Sequence, residues 1–156
     1  MKIPMKNYII LVLLSFFTVV LTFYLMNKYV KTNNINIDFV SEIKENELDS
    51  YITEGHEVIV YMSKSDTNDI KKFEKELKKY TIKKDLSNRY VYLNLNNVSD
   101  NFYNQFYIKY INESSNNFKI EQPTFIYIND MKVKKYINNV NDIKIVQHFF
   151  DSIGEL

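Results

Sequence analysis

The sequence predicts an α/β domain, a mixed sheet with helices on its faces, preceded by one N-terminal apolar helix. Three observations carry this. Between residues 57 and 112, short β-branched runs alternate with amphipathic stretches of helical period, the pattern of parallel strands joined by a crossover helix. Two further strand-like runs, 123–130 and 131–137, adjoin across Asn129-Asp130, a pair that suits a tight antiparallel hairpin. Residues 8–26, "YIILVLLSFFTVVLTFYLM", are uncharged and predominantly apolar.

The apolar run comes first. At about 1.5 Å per residue it reaches about 28 Å, close to the hydrocarbon thickness of a bilayer. It is longer than the apolar region of a signal peptide, and "NKYVKTNN" after it has no small-x-small cleavage pattern. No Cys offers a lipid attachment point. An uncleaved signal anchor is expected, with residues 1–7 as a short cytoplasmic N-terminus and 27–37 as a polar linker to a domain over 38–156. Lys2, Lys6 and the terminal amine face Lys28 and Lys31 across the span. This slight positive-inside bias puts the domain outside. Ser15, Thr18 and Thr22 share one helix face, where they could meet a partner helix. The simpler expectation is that their hydroxyls bond the helix's own carbonyls.

The domain follows element by element. "DFVSEIKENELDSYITEG" (38–55) places Phe39, Val40, Ile43, Leu48, Tyr51 and Ile52 at loose helical spacing, with Asp38 as cap and Gly55 as end. "EVIVYM" (57–62) reads as a strand apolar on both faces. From Thr67 to Lys84, Ile70, Phe73, Leu77 and Tyr80 form the inner stripe of an amphipathic helix, with Lys and Glu on its wet side. "RYVYLNLN" (89–96) is a second strand. A helix over 99–112 starts at Ser99 or Asp100 and carries Phe102, Phe106 and Tyr110 on one stripe. After a loop come the two hairpin strands. A closing helix over 141–154 turns Ile143, Val146, Phe149, Phe150 and Ile153 inward. The expected sheet therefore has four strands, in the order α-βαβα-ββα.

Composition excludes several chemistries. With no Cys among 156 residues there are no disulfides, thiolate metal sites or thiol catalysis. Two histidines, His56 and His148, are too few for a histidine metal cluster. The formal charge is +1 overall, and no basic face for nucleic acid is evident. No metal and no cofactor are expected. In "KKFEKELKKYTIKK" the basic residues are interrupted by Glu74 and Glu76, and a solvated helix face is expected there.

The element order and local sequence resemble the thioredoxin-like superfamily over roughly Glu57 to Ile153. Within it, the chain is most similar to small membrane-anchored proteins of Gram-positive bacteria, the group that includes bacteriocin transport accessory proteins. That family's pattern has a strand, a short turn, Cys-x-x-Cys and then Lys-Phe-Glu. Here "VIVYM" and "KKFE" match the flanks, and the two Cys positions fall on Thr67 and Ile70. A proline opening the third strand is the family's second mark, matched by Pro123 in "QPTFIYIND". The resemblance implies a cis bond there. With both cysteines absent, the family's thiol–disulfide exchange does not carry over.

The residues themselves suggest a capped helix start, Thr67 or Asp66 capping and Asp69 adding a first-turn carboxylate, worth about 1 kcal/mol. Ile70 is expected to pack inward. The resemblance further implies that the backbone beside Gln122 and Pro123 receives an extended peptide by strand addition, with Asp66 and Thr67 bordering it. The leading expectation is a membrane-anchored, extracytoplasmic, non-catalytic accessory or chaperone-like module with a bilayer and a protein or peptide as partners. A non-thiol enzyme using Asp66, Thr67 and Asp69, and a structural or immunity-type protein whose anchor carries specificity, are the alternatives.

Overall fold

A computed structural model describes residues 12–25, 37–111 and 118–154. The chain forms two compact units, Met1–Asn36 and Ile37–Leu156. In the first, residues 12–25 are helical (α1) and carry exposed Leu14, Phe16, Phe17 and Phe23. Ser15, Thr18 and Thr22 donate to the carbonyls of Val12, Ser15 and Thr18 at 3.2, 2.8 and 2.8 Å, the back-bonding anticipated for them. Among the described residues no helix is long and apolar enough to cross a membrane. Residues 8–11 and 26 of the expected span lie outside the described residues, as do those of the linker up to residue 36.

The second unit is built on a five-stranded mixed sheet, in the order β1-β3-β2-β4-β5. The strands are β1 (Glu42–Ile43), β2 (Glu57–Ser63), β3 (Val91–Asn94), β4 (Thr124–Asn129) and β5 (Lys132–Ile137). The helices are α2 (Glu45–Gly55), α3 (Asn68–Lys84), α4 (Phe102–Tyr110) and α5 (Ile143–Asp151). β3 runs parallel to β1 and β2, and β4 runs antiparallel to β2 and β5. Alternation along the central strands feeds two cores. Val58, Val60 and Met62 of β2 meet Leu48 and Ile52 of α2 and Phe102, Phe106 and Tyr110 of α4. Ile59 and Tyr61 point the other way, to Phe73 and Leu77 of α3 and Val146, Phe149 and Phe150 of α5. A strand buried on both faces needs a continuous apolar run, and "VIVYM" supplies it.

The structure corrects four expectations. The sheet has five strands, not four: residues 39–43 are not helical, and β1 pairs Glu42 with Tyr92 and Ile43 with Leu93. Phe39 and Val40 belong to one core and Ile43 to the other, a split that one helical face cannot make. Helix α2 therefore starts at Glu45, and Asp38 is no cap; it bonds Lys78 at 2.5 Å instead. Helix α4 starts after Asn101, and its expected cap Ser99 donates through both its N–H and its hydroxyl to the Glu45 carboxylate, each at 2.6 Å. The hairpin turn is Asp130-Met131, one residue later than expected, both with positive φ (48° and 60°), as a two-residue type I′ turn requires. Fourth, Glu74 is not on the wet side of α3 but fully buried.

Gly55 closes α2 where a Cβ would come within 2.8 Å of Val58 Cγ2. Val58 is locked in the core, so Gly55→Ala should cost about 1–3 kcal/mol by overpacking, measured as a lower urea midpoint.

Candidate functional site

The site forms where β2 ends and α3 begins. Ser63 is the last residue of β2. The chain then turns through Lys64, Ser65 and Asp66, with Ser65 in the left-handed region at φ 52°. Thr67 is the N-cap of α3, its hydroxyl accepting the Ile70 N–H at 3.3 Å. Of the two caps expected from sequence, Thr67 is the one that forms and Asp66 is not. Asp69 sits in the first turn and pairs with Lys72 at 3.7 Å, both exposed.

Facing this turn is the start of β4. The Gln122–Pro123 peptide bond is cis, as the resemblance implies. The segment is clamped from the far side. Val140 N–H donates to Pro123 O at 2.9 Å and Asn139 N–H to Glu121 O at 2.8 Å. Asn138 receives the Glu121 N–H and the Thr124 hydroxyl through its Oδ1 and donates to Lys119 O. Among the described residues, the main chain of Gln122 has no hydrogen-bond partner, and its buried Oε1 has none either.

The two segments enclose a cleft of about 420 Å³ lined by Asp66, Thr67, Asp69, Ile70, Gln122 and Pro123, with Phe73 and Val140 as apolar floor. Every site residue singled out in the sequence thus comes to one place. Asp66 and Thr67 are exposed and Ile70 is half-buried, so Ile70 packs inward only in part. The lining contains two carboxylates and no Lys or Arg. Thr67 Oγ has only the Ile70 N–H as partner among the described residues, so no base is positioned to activate it. Among the described residues no group of three His, Asp or Glu side chains could hold a metal ion. A second concavity of about 410 Å³ lies between α2 and α4. Its two carboxylates are already taken, Asp49 by Lys109 and Tyr110 and Glu45 by Ser99, and none of the site residues above reaches it.

Beneath the turn lies a cluster that the sequence reading missed. Glu74 Oε1 accepts three hydroxyls: Tyr61 at 3.0 Å, Ser63 at 3.0 Å and Ser65 at 2.6 Å. Ser63 Oγ in turn accepts the Ser65 N–H at 3.1 Å, and Tyr92 OH donates to Ser63 O at 3.2 Å. Glu74 Oε2 is buried without a partner among the described residues. Burial pushes the Glu74 carboxyl above its ordinary value, against the opposing pull of the Ser65, Tyr61 and Ser63 hydrogen bonds. Burial and the nearby Glu74 carboxylate also raise the Tyr61 phenol, and burial takes Tyr92 up to about 12. The signal for Glu74 was present: it lies four residues after Ile70 and three before Leu77, on the inner stripe of α3.

A raised carboxyl binds its proton more tightly in the folded chain than in the unfolded chain. Stability from this group is therefore complete below the ordinary glutamate value and is lost as pH rises through the raised folded value. Glu74→Gln keeps an acceptor for the three hydroxyls and removes the proton equilibrium. Across pH 4–8, the urea midpoint of the wild type should fall relative to that of the variant as pH rises.

No family model and no curated protein matches the chain.

Proposed function

We propose that the chain is a membrane-anchored, extracytoplasmic thioredoxin-like protein without thiol redox activity, whose cleft holds an extended segment of a protein partner. The observation that carries this reading is the unpaired main chain of Gln122 in a cleft floored by Phe73 and Val140. Unpaired main chain beside a strand offers hydrogen bonds to an added strand, and the adjoining concavity takes a side chain. The lining has acidic Asp66 and Asp69, of which only Asp69 has a cation beside it, the exposed Lys72 outside the lining, so a segment with a basic side chain fits best. Support for the anchor is the uncharged run over 8–26 with lysines at both ends, and the exposed large apolar side chains of α1.

Asp66→Trp tests the cleft without touching the Thr67 cap. It fills the concavity from an exposed position that makes no hydrogen bond among the described residues. Binding of labelled basic, extended peptides to the full chain in detergent should fall by at least about tenfold, equivalent to 1.4 kcal/mol. Unchanged affinity would remove the cleft from the account. The anchor is tested separately: alkaline washing of membranes should release the chain only when residues 8–26 are deleted.

A further inference from the structure

We propose that Glu74 is a proton-operated latch on the turn at the cleft rim: its carboxylate holds Ser65, and taking up a proton releases Ser65 and with it Asp66 and Thr67. The inference concerns the turn itself and stands whatever occupies the cleft.

Three features of the geometry point to it. First, the three hydroxyls on Glu74 Oε1 are not equivalent. Tyr61 and Ser63 belong to β2, where the ladder fixes Tyr61 to β3 and β4 and Ser63 to β3. Ser65 belongs to the turn, makes the shortest bond (2.6 Å) and is half-buried. It is thus the partner free to leave. Second, Ser65 holds φ 52°, a conformation that residues with a Cβ seldom adopt. Ser65 is tied down by its N–H to Ser63 Oγ and its Oγ to Glu74, with the Tyr92 hydroxyl of β3 beside it. Third, Oε2 is buried and unpartnered, so it is the oxygen open to a proton. Protonation there converts a charge-assisted bond at Oε1 into a neutral one, roughly halving its strength.

The groups facing Glu74 leave it as the acid-range titrating member of the cluster. They are Tyr61 and Ser63 from β2, Tyr92 from β3, Ser65 from the turn and Lys71 from α3, while Glu42 of β1 acts on Tyr92. Both tyrosines titrate far above neutrality. Asp66 and Thr67 follow Ser65 directly and line the cleft. Occupancy of the cleft and protonation of Glu74 are therefore reciprocally linked.

The test is amide NMR of the full chain in detergent micelles, carrying Asp66→Asn and Asp69→Asn so that the exposed carboxylates at the rim do not titrate. As pH falls, the amides of Ser65, residue 66 and Thr67 should shift together, with a midpoint above the ordinary glutamate value of 4.5. Adding Glu74→Gln should abolish that titration and hold the three amides at their acid-end positions throughout. Ser65→Ala, which leaves Glu74 and the sheet intact, should place the amides of residue 66 and Thr67 near the acid-end positions already at neutral pH. Amides that do not move with pH, that titrate equally with Gln at 74, or that keep their neutral-pH positions in Ser65→Ala would each overturn the latch. If the Gln variant does not fold, the Ser65→Ala result decides.

Discussion

Phe125→Ala should lower the stability of the domain by about 3–5 kcal/mol, the cost of deleting a buried aromatic from a core that cannot close over it. Phe125 lies on β4, fully buried, at the centre of an aromatic cluster. Its ring centroid is 4.7 Å from Tyr61, 5.5 Å from Tyr90, 6.0 Å from Phe149 and 6.1 Å from Phe150. These partners come from β2, from the residue just before β3 and from α5, so no single element can shift to refill the space. Domains of this size have only about 5–15 kcal/mol in total. The variant should therefore show a much lower urea midpoint with an unchanged slope. Ile108→Ala, at a residue 84% exposed, provides the control and should stay within about 0.5 kcal/mol.

Glu74→Leu should be the next most damaging change, at about 2–4 kcal/mol near neutral pH. Leucine fills the site but accepts no hydrogen bond. Tyr61, Ser63 and Ser65 would then lose their shared acceptor in a buried place. Each stranded donor costs about 1–3 kcal/mol. Removing a buried carboxylate with an unpartnered oxygen offsets part of that sum. Glu74→Gln, which keeps the acceptor, should cost less than half as much. The gap between the wild type and the leucine variant should widen as pH falls, because acid stabilises only the chain that carries Glu74. A gap that narrows in acid would contradict the burial argument.

Much of this architecture is legible in the sequence because its signals are local. "VIVYM" is β-branched and apolar on both faces, and it is the central strand. Ile70, Phe73 and Leu77 mark the inner face of α3, and Thr67 caps it as its chemistry suggests. The elements that were misread depend on partners far away in the chain. Residues 39–43 become β1 only because β3 offers Tyr92 and Leu93 as partners. Ser99 is diverted from capping by Glu45. The hairpin turn slips by one residue because Met131 accepts positive φ while its side chain packs on the core.

The cleft's two halves, "SDTNDI" and "QP", were paired in the sequence only through the resemblance to the thioredoxin-like pattern, because no local signal joins two stretches so far apart in the chain. For Glu74 the stripe position was legible but its burial was overridden, because a charged residue in a lysine-rich helix reads as solvated. Burial becomes visible only when the stripe is followed past the charge and three hydroxyls converge from β2 and the turn.

The most direct measurement is photocrosslinking from position 122 in intact cells, with position 108 on α4 as control. Both positions are in the same chain, so expression and location cancel. If the cleft holds an extended partner segment, a discrete protein adduct forms from position 122, disappears with Asp66→Trp and is absent from position 108. Adducts of equal yield from both positions, or a position-122 adduct that survives Asp66→Trp, would contradict the account.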